Sequence, residues 1–445
     1  MKRLVLLMGD IAGLYGALAL TLAVRYGKDY VSKLDMHLVP FSIIFIFWII
    51  IFFIFNLYDI IAAKNNQDYF RSLIYVFVIN ALISILFFYL IPFLGITPKT
   101  NLFIFMAFAG ILVFLWRVYF NAITAQGDPD NNTLIIGLTK QSNELYDFLL
   151  ANPQLGYKAI GIVDIEDKEA LAILRSLITK KQVRTLILSP NAYEMPDVID
   201  ILYGFLGYNI DFYNLPDFYE LATGKIPLSA INQEWFLDNL SSGKKRFDIF
   251  TRRFFDVLFS LVFGAISLIF YPFIIFAVKY DSKGPIFIKQ KRLGWAGKIF
   301  TLIKFRSMIA NAPDGSAEAI TGATWAKEND PRITRIGKFL RKTRLDELPQ
   351  LWNVLWGDMS FIGPRAERPE FHGQLKSQIP FYNERYLIKP GLTGWAQIRY
   401  PYGSSVQDAT EKLQYDLFYI KNRSLALDIS IILKTLSTIL FKKGR

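Results

Sequence analysis

The chain has 445 residues, enough for two or three domains, and 53% of them are hydrophobic. Its mean hydropathy of +0.29 is too high for an ordinary soluble enzyme. There is no cysteine and there are two histidines, His37 and His372, which excludes disulfides, thiolate catalysis and zinc–thiolate sites. Any catalytic metal must then be a hard ion held by oxygen, with Mg²⁺ the fitting choice. The net charge of +12 is segregated: from Ser242 onward 33 Lys+Arg stand against 17 Asp+Glu, and before it 17 stand against 21. A basic C-terminal part in an apolar chain suits membrane lipids or nucleotides as partners, and no nucleic acid.

Four apolar runs, 4–24, 38–57, 73–94 and 102–120, are each long enough to cross a bilayer. They predict an α-helical, four-helix transmembrane domain over residues 1–125. The first run is too long for a signal-peptide core and is followed closely by three others. Met1-Lys2-Arg3, set against Arg25, Lys28 and Lys33 after the first run, predicts a cytoplasmic N-terminus, to which four crossings would return the chain. Asp10 and Arg117 lie inside apolar runs near helix ends, where side chains can snorkel, and a structural role is expected of them.

Residues 126–243 change character. Buried-strand patterns begin at Thr133, Ala159 and Val183 and alternate with helical stretches, which predicts a Rossmann-like α/β middle domain with a parallel sheet. Its first turn, Gly137-Leu138-Thr139-Lys140-Gln141-Ser142, has one glycine where a dinucleotide turn needs several. The domain is therefore expected to lack an intact dinucleotide site.

From residue 244 the chain opens on Lys244-Lys245-Arg246 and Arg252-Arg253 and then runs apolar from Val257 to Val278 around Pro272, with Lys279 and Lys283 following. Basic flanks on both sides and a helix-breaking proline favour a re-entrant helix over about 254–279, kinked at Pro272, that enters and leaves on the cytoplasmic side. A kinked spanning helix is the alternative. The last apolar run, 425–441, interrupted by Asp428 and Lys434 and ending in Lys442-Lys443, reads as an amphipathic interfacial helix.

The chemistry concentrates in Thr343-Arg344-Leu345-Asp346-Glu347-Leu348-Pro349-Gln350. Upstream lie Arg332, Arg335, Lys338, Arg341, Lys342 and Arg344, a setting expected to hold a polyanion and to depress both carboxyl pKa values. Around this dyad stand Gln290-Lys291-Arg292-Leu293-Gly294, Lys304-Phe305-Arg306-Ser307-Met308, Gly357-Asp358-Met359-Ser360-Phe361-Ile362-Gly363-Pro364-Arg365 and Lys389-Pro390-Gly391-Leu392-Thr393-Gly394-Trp395-Ala396-Gln397. This succession, over residues 250–445, closely resembles the bacterial sugar transferases known as monotopic phosphoglycosyl transferases. Specifically, it resembles the long-form polyprenyl-phosphate sugar-1-phosphate transferases of exopolysaccharide and O-antigen synthesis.

The resemblance implies a mostly α-helical catalytic domain over 244–445 in the bacterial inner membrane, facing the cytoplasm. That domain would move a sugar phosphate from a UDP-sugar to undecaprenyl phosphate. Two anions repel, and splitting the transfer through a covalent carboxylate intermediate avoids their meeting. The resemblance assigns Asp346 as nucleophile and Glu347, with Mg²⁺, to positioning and charge neutralisation, and the opposite division between them stays open. Lys304, Arg306, Arg341, Arg365 and Arg399 are the expected phosphate-binding set, with Asp416 and Asp428 as supporting acids. The chain departs from the family pattern at Ala366, where proline is common, and around Arg399. A homodimer would suit the middle domain. A non-catalytic membrane scaffold is the competing class, but it has no need of Lys304, the dyad and Gly363-Pro364-Arg365 in this order.

Overall fold

The computed structural model describes residues 2–91, 99–127, 130–240, 246–311, 330–400, 403 and 405–440. The basic residues Lys244, Lys245, Lys442 and Lys443 lie outside them. The chain forms two compact units, Met1–Phe218 and Tyr219–Arg445.

In the first unit, α1 (Lys2–Tyr26), α2 (Tyr30–Ile54), α3 (Gln67–Leu90) and α4 (Lys99–Ala125) correspond to the four apolar runs. Among the described residues, three stretches are long and apolar enough to cross a membrane: Lys2–Ile54, which comprises α1 and α2, Gln67–Leu90 and Thr100–Ala125. The helices share an aromatic core in which Phe41, Phe45 and Trp48 lie 5.2 to 5.5 Å from Phe105. Leu4, Ile74, Leu82, Tyr89 and Phe103 point outward, as lipid-facing side chains do. Asp10 and Arg117 do not snorkel. Both are fully buried and meet each other between α1 and α4, with Arg117 Nε donating to Asp10 Oδ1 at 3.2 Å. Arg117 Nη1 also donates to Leu57 O at 2.9 Å and Tyr69 Oη at 2.6 Å. Pairing is how a bilayer-depth charge is tolerated away from headgroups.

After the helices come β1 (Asn132–Ile136), α5 (Lys140–Ala151), β2 (Lys158–Val163), α6 (Lys168–Lys180), β3 (Val183–Leu188), α7 (Pro190–Tyr193), α8 (Pro196–Tyr203) and β4 (Asp211–Asn214). The four strands are parallel in the order β2-β1-β3-β4. Central β1 and β3 are apolar and buried almost throughout, as strands covered on both faces must be. At the β1–α5 turn, Thr139 accepts the Ser142 N–H and Ser142 Oγ donates to Gly137 O. The turn thus uses its own hydroxyls on its backbone.

The second unit begins inside α9 (Leu215–Thr223) and includes α10 (Gln233–Leu240). Residues 219–240 therefore group with the C-terminal unit rather than with the α/β sheet, and the division falls earlier than the expected 243/244 boundary. Ile226, Leu228 and Ile231 share a core with Leu375, Trp395 and Leu417, and the Trp395 indole donates to Gly224 O at 2.8 Å.

α11 (Arg246–Leu268) and α12 (Tyr271–Asp281) follow, with their segments Ile249–Leu268 and Tyr271–Asp281 bent by 60°. Pro272 sits in the first turn of α12, where an N–H would have no helical partner in any case, so it starts the second helix instead of deforming the first. Phe254, Leu261, Phe273 and Phe276 are exposed along the pair. The unit continues through β5 (Phe287–Leu293), β6 (Ile299–Phe305), α13 (Arg335–Thr343), α14 (Gln350–Trp356), β7 (Ser360–Ile362), α15 (Pro369–Gln378), β8 (Gly391–Thr393), α16 (Trp395–Arg399), α17 (Val406–Asn422) and α18 (Leu425–Leu440). β5 and β6 form an antiparallel hairpin, and β7 pairs with β8 in parallel.

Candidate active site

Three local devices bring the dyad, Lys304 and Arg365 together. α13 is capped by Thr334, which accepts the Gly337 N–H at 3.0 Å, and it ends at Arg344 with φ +59. A left-handed arginine is unfavourable without support, and here it reverses the chain into the 3-10 turn Leu345–Glu347 that carries both acids. Asn353, fully buried on α14, donates to Thr301 O at 2.7 Å and accepts the Ile303 N–H at 3.1 Å, which fixes the segment after the dyad to β6 beside Lys304. The third device is the crossing of the β7 and β8 loops. A Cβ on Gly391 would lie 2.0 Å from Gly363 N, and one on Gly394 2.1 Å from Gly363 O, so only glycines allow the loop ending in Arg365 to seat this closely.

Glu347 is held between two guanidiniums. Arg365 Nη2 donates to Oε1 at 2.8 Å and Arg344 Nη1 lies 3.5 Å from Oε2. Burial alone would raise its carboxyl pKa, but Arg365 and Arg344 outweigh that and bring it below the usual range. Asp346 is buried and makes no hydrogen bond to a described residue. Its pKa goes the other way, raised by burial and by the charge of Glu347 against the pull of Lys304, Arg341 and Arg344. The expected depression of both carboxyls is thus correct in direction for Glu347 and reversed for Asp346, because one position takes the ion pairs and its neighbour takes the desolvation. Lys304 is pulled down to about 8 by burial and by Arg292, with Arg341 and Arg365 adding and Asp346 opposing.

Of the expected phosphate-binding set, Lys304, Arg341 and Arg365 act on the dyad. Arg306 does not join them. It is 2% exposed, and its guanidinium donates to Lys283 O at 2.7 Å, Ser282 O at 2.6 Å and Val278 O at 3.1 Å, closing the end of α12. Arg399 lies over the Trp395 ring, 4.5 Å from its centroid. Arg332 pairs with Asp330, while Arg335, Lys338 and Lys342 are exposed on α13. Asp428 accepts from Tyr419 Oη at 2.8 Å and pairs with Arg252, which ties α18 to α11. Asp416, 2% exposed, accepts from Arg385 at 3.0 Å and is pushed up to about 6 by burial, against the charge of Arg385.

Two basic residues were not singled out from sequence. Arg292 donates to Ala366 O at 3.1 Å, and burial together with Arg365 pulls it down to about 10. The register pairs Arg292 with Phe300 and Ile288 with Lys304, so strand alternation places Arg292 and Lys304 on one face of the hairpin. That alternation was readable. Arg385 gives no such signal, since it lies in the 3-10 segment Tyr382–Leu387.

Residues 247–442 match the family model for the bacterial sugar transferases. A UDP-glucose:undecaprenyl-phosphate glucose-1-phosphate transferase from Xanthomonas campestris pv. campestris is 30% identical over 348 residues, covering 74% of this chain and 70% of that protein. A UDP-N-acetylgalactosamine-undecaprenyl-phosphate N-acetylgalactosaminephosphotransferase from Aeromonas hydrophila is 38% identical over 235 residues, 52% of this chain and 53% of that protein. The match thus spans about half of the Aeromonas relative's length. A UDP-glucose:undecaprenyl-phosphate glucose-1-phosphate transferase from Escherichia coli K12 is 42% identical over 161 residues, 36% of this chain and 33% of that protein. The chain belongs to the bacterial sugar transferase family.

Proposed function

We propose that this protein transfers a sugar 1-phosphate from a UDP-sugar to undecaprenyl phosphate through a covalent intermediate on Asp346. The observation that carries the reading is the division within the dyad: Glu347 is occupied by Arg365 and Arg344, whereas the buried Asp346 carboxylate has no hydrogen-bond partner among the described residues and stands beside Lys304. A desolvated, unpaired carboxylate is the better nucleophile of the two.

In the first step an Asp346 oxygen bonds to the phosphorus that carries the sugar, and the bond to the bridging oxygen breaks. UMP departs with that oxygen and its electron pair. In the second step an oxygen of the lipid phosphate attacks the same phosphorus, the new diphosphate forms, and Asp346 returns as carboxylate. Lys304, Arg341 and Arg365 act on the dyad, with Arg292 beside Lys304, and these four would hold the diphosphate oxygens as charge shifts towards the leaving group. Among the described residues no group of three or more His, Cys, Asp or Glu converges, and at this site Asp346 and Glu347 are the carboxylates that would hold a metal together with substrate phosphates. Two carboxylates that share a site with substrate phosphates fit Mg²⁺, which would neutralise diphosphate charge when bound.

The α11–α12 pair, with its 60° bend, exposed apolar face and basic ends, supports a re-entrant helix that keeps the site on the cytoplasmic face of the inner membrane. The names of the relatives support UDP-sugar and undecaprenyl phosphate as substrates and differ in the sugar. Purified protein incubated with undecaprenyl phosphate, Mg²⁺ and a panel of UDP-sugars tests the reading. UMP release with one donor supports it, and no release with any donor contradicts it.

A further inference from the structure

Arg385 is buried at 6% exposure, and among the described residues its link to the dyad runs through the backbone of Arg365. Its Nη2 donates both to Asp416 Oδ2 at 3.0 Å and to Arg365 O at 3.1 Å, and its Nη1 donates to Tyr382 Oη at 2.6 Å. Glu367 Oε2 stands 3.8 Å from Nη1, and the Tyr382 ring lies under the guanidinium. Arg385 therefore binds the loop on both sides of Ala366, by the carbonyl of Arg365 and the carboxylate of Glu367. On its other side the loop is held by the close approach of Gly363 and Gly391, where Gly391 N donates to Pro364 O at 2.9 Å. Arg365 itself is half-exposed and its Nη2 donates to Glu347, and the aim of a long side chain depends on how its backbone is fixed.

We propose that Arg385, anchored by Asp416, is a positioning residue that fixes the backbone of Arg365 and thereby directs the Arg365 guanidinium onto Glu347 and the donor diphosphate. Asp416 orients the fork so that one nitrogen faces the Arg365 carbonyl, and Tyr382 holds the other nitrogen in plane. A planar guanidinium can serve all three acceptors at once. A lysine ammonium at this position has the charge but not the geometry. The proposal rests on the reaction proposed above.

A double-mutant cycle separates positioning from simple core support. With UMP release as readout, Arg365→Ala is expected to lower turnover about a hundredfold and Arg385→Lys about tenfold, with the lipid-acceptor KM near the wild-type value in the latter. In the Arg365→Ala background, Arg385→Lys should cost less than about twofold more, because what it positions is already gone. Multiplying losses, or an Arg385→Lys enzyme with unchanged turnover, would overturn the proposal. If Arg385→Lys fails to fold, the isosteric Asp416→Asn replaces it in the same cycle with the same non-additive outcome required. If the wild-type protein releases no UMP, the proposed reaction fails instead. The cycle is then read on the melting-temperature shift produced by UDP, where additive shifts count against positioning.

Discussion

Asp346 and Glu347 are adjacent in sequence and opposite in electrostatics. That asymmetry gives the site a pH signature. In the proposed reaction attack needs ionised Asp346, whose pKa is raised above its ordinary value of 3.8, so kcat/KM is predicted to fall as pH drops through the raised value. The proposed phosphate binding by Lys304 needs its protonated form, whose pKa is pulled down to about 8, so kcat/KM is also predicted to fall as pH rises through about 8. The pH profile is thus predicted to be bell-shaped, and Lys304→Arg should remove the alkaline limb while the acid limb stays. An alkaline limb unchanged in that variant would show that another group titrates there. The residue types at this site were legible from the sequence because charge clustering and motif order survive without coordinates. The direction of the Asp346 shift was not, since it depends on which carboxylate the guanidiniums reach. Arg306 shows a second limit. It is two residues from Lys304, and alternation would put both on one face, but β6 ends at Phe305 and the next side chain is drawn to the open carbonyls at the end of α12.

Among the elements, the break between α11 and α12 was legible from the sequence, because a proline inside an apolar run marks a helix boundary or kink. The bend itself precedes the proline, which only begins the second helix. In this cysteine-free chain, single cysteines at positions 253 and 283 are predicted to react with an impermeant reagent from the same side of the membrane. Labelling of 253 and 283 from opposite sides would make the pair a spanning helix. α1 and α4 carry a different lesson. Asp10 and Arg117 looked like two independent charges, and only the packed helices show that they neutralise each other. Arg117→Met alone leaves Asp10 buried and unpaired and is predicted to destabilise by about 3–5 kcal/mol. Asp10→Leu combined with Arg117→Met should recover most of that loss, as measured by thermal melting in detergent. A double variant no more stable than the single one would contradict neutralisation as the reason for the pair.

On the scale of the whole chain, the segregation of charge noted in the sequence has a structural counterpart, since the basic surplus falls in the unit that carries the dyad. The unit boundary was less legible. Residues 219–240 follow the α/β sheet in sequence, and only their contacts with Gln414, Leu417 and Trp395 show where they pack. The central claim for the molecule is that one chain performs both half-reactions by holding the sugar phosphate on Asp346 between them. The most direct test omits the acceptor: enzyme, Mg²⁺, a UDP-sugar and labelled UMP, without undecaprenyl phosphate. The expected result is exchange of label into the UDP-sugar, together with a protein adduct of one sugar phosphate that maps to Asp346 and is lost in Asp346→Asn. Normal transfer with acceptor present, but neither exchange nor adduct in its absence, would contradict it and make direct attack by the lipid phosphate the mechanism.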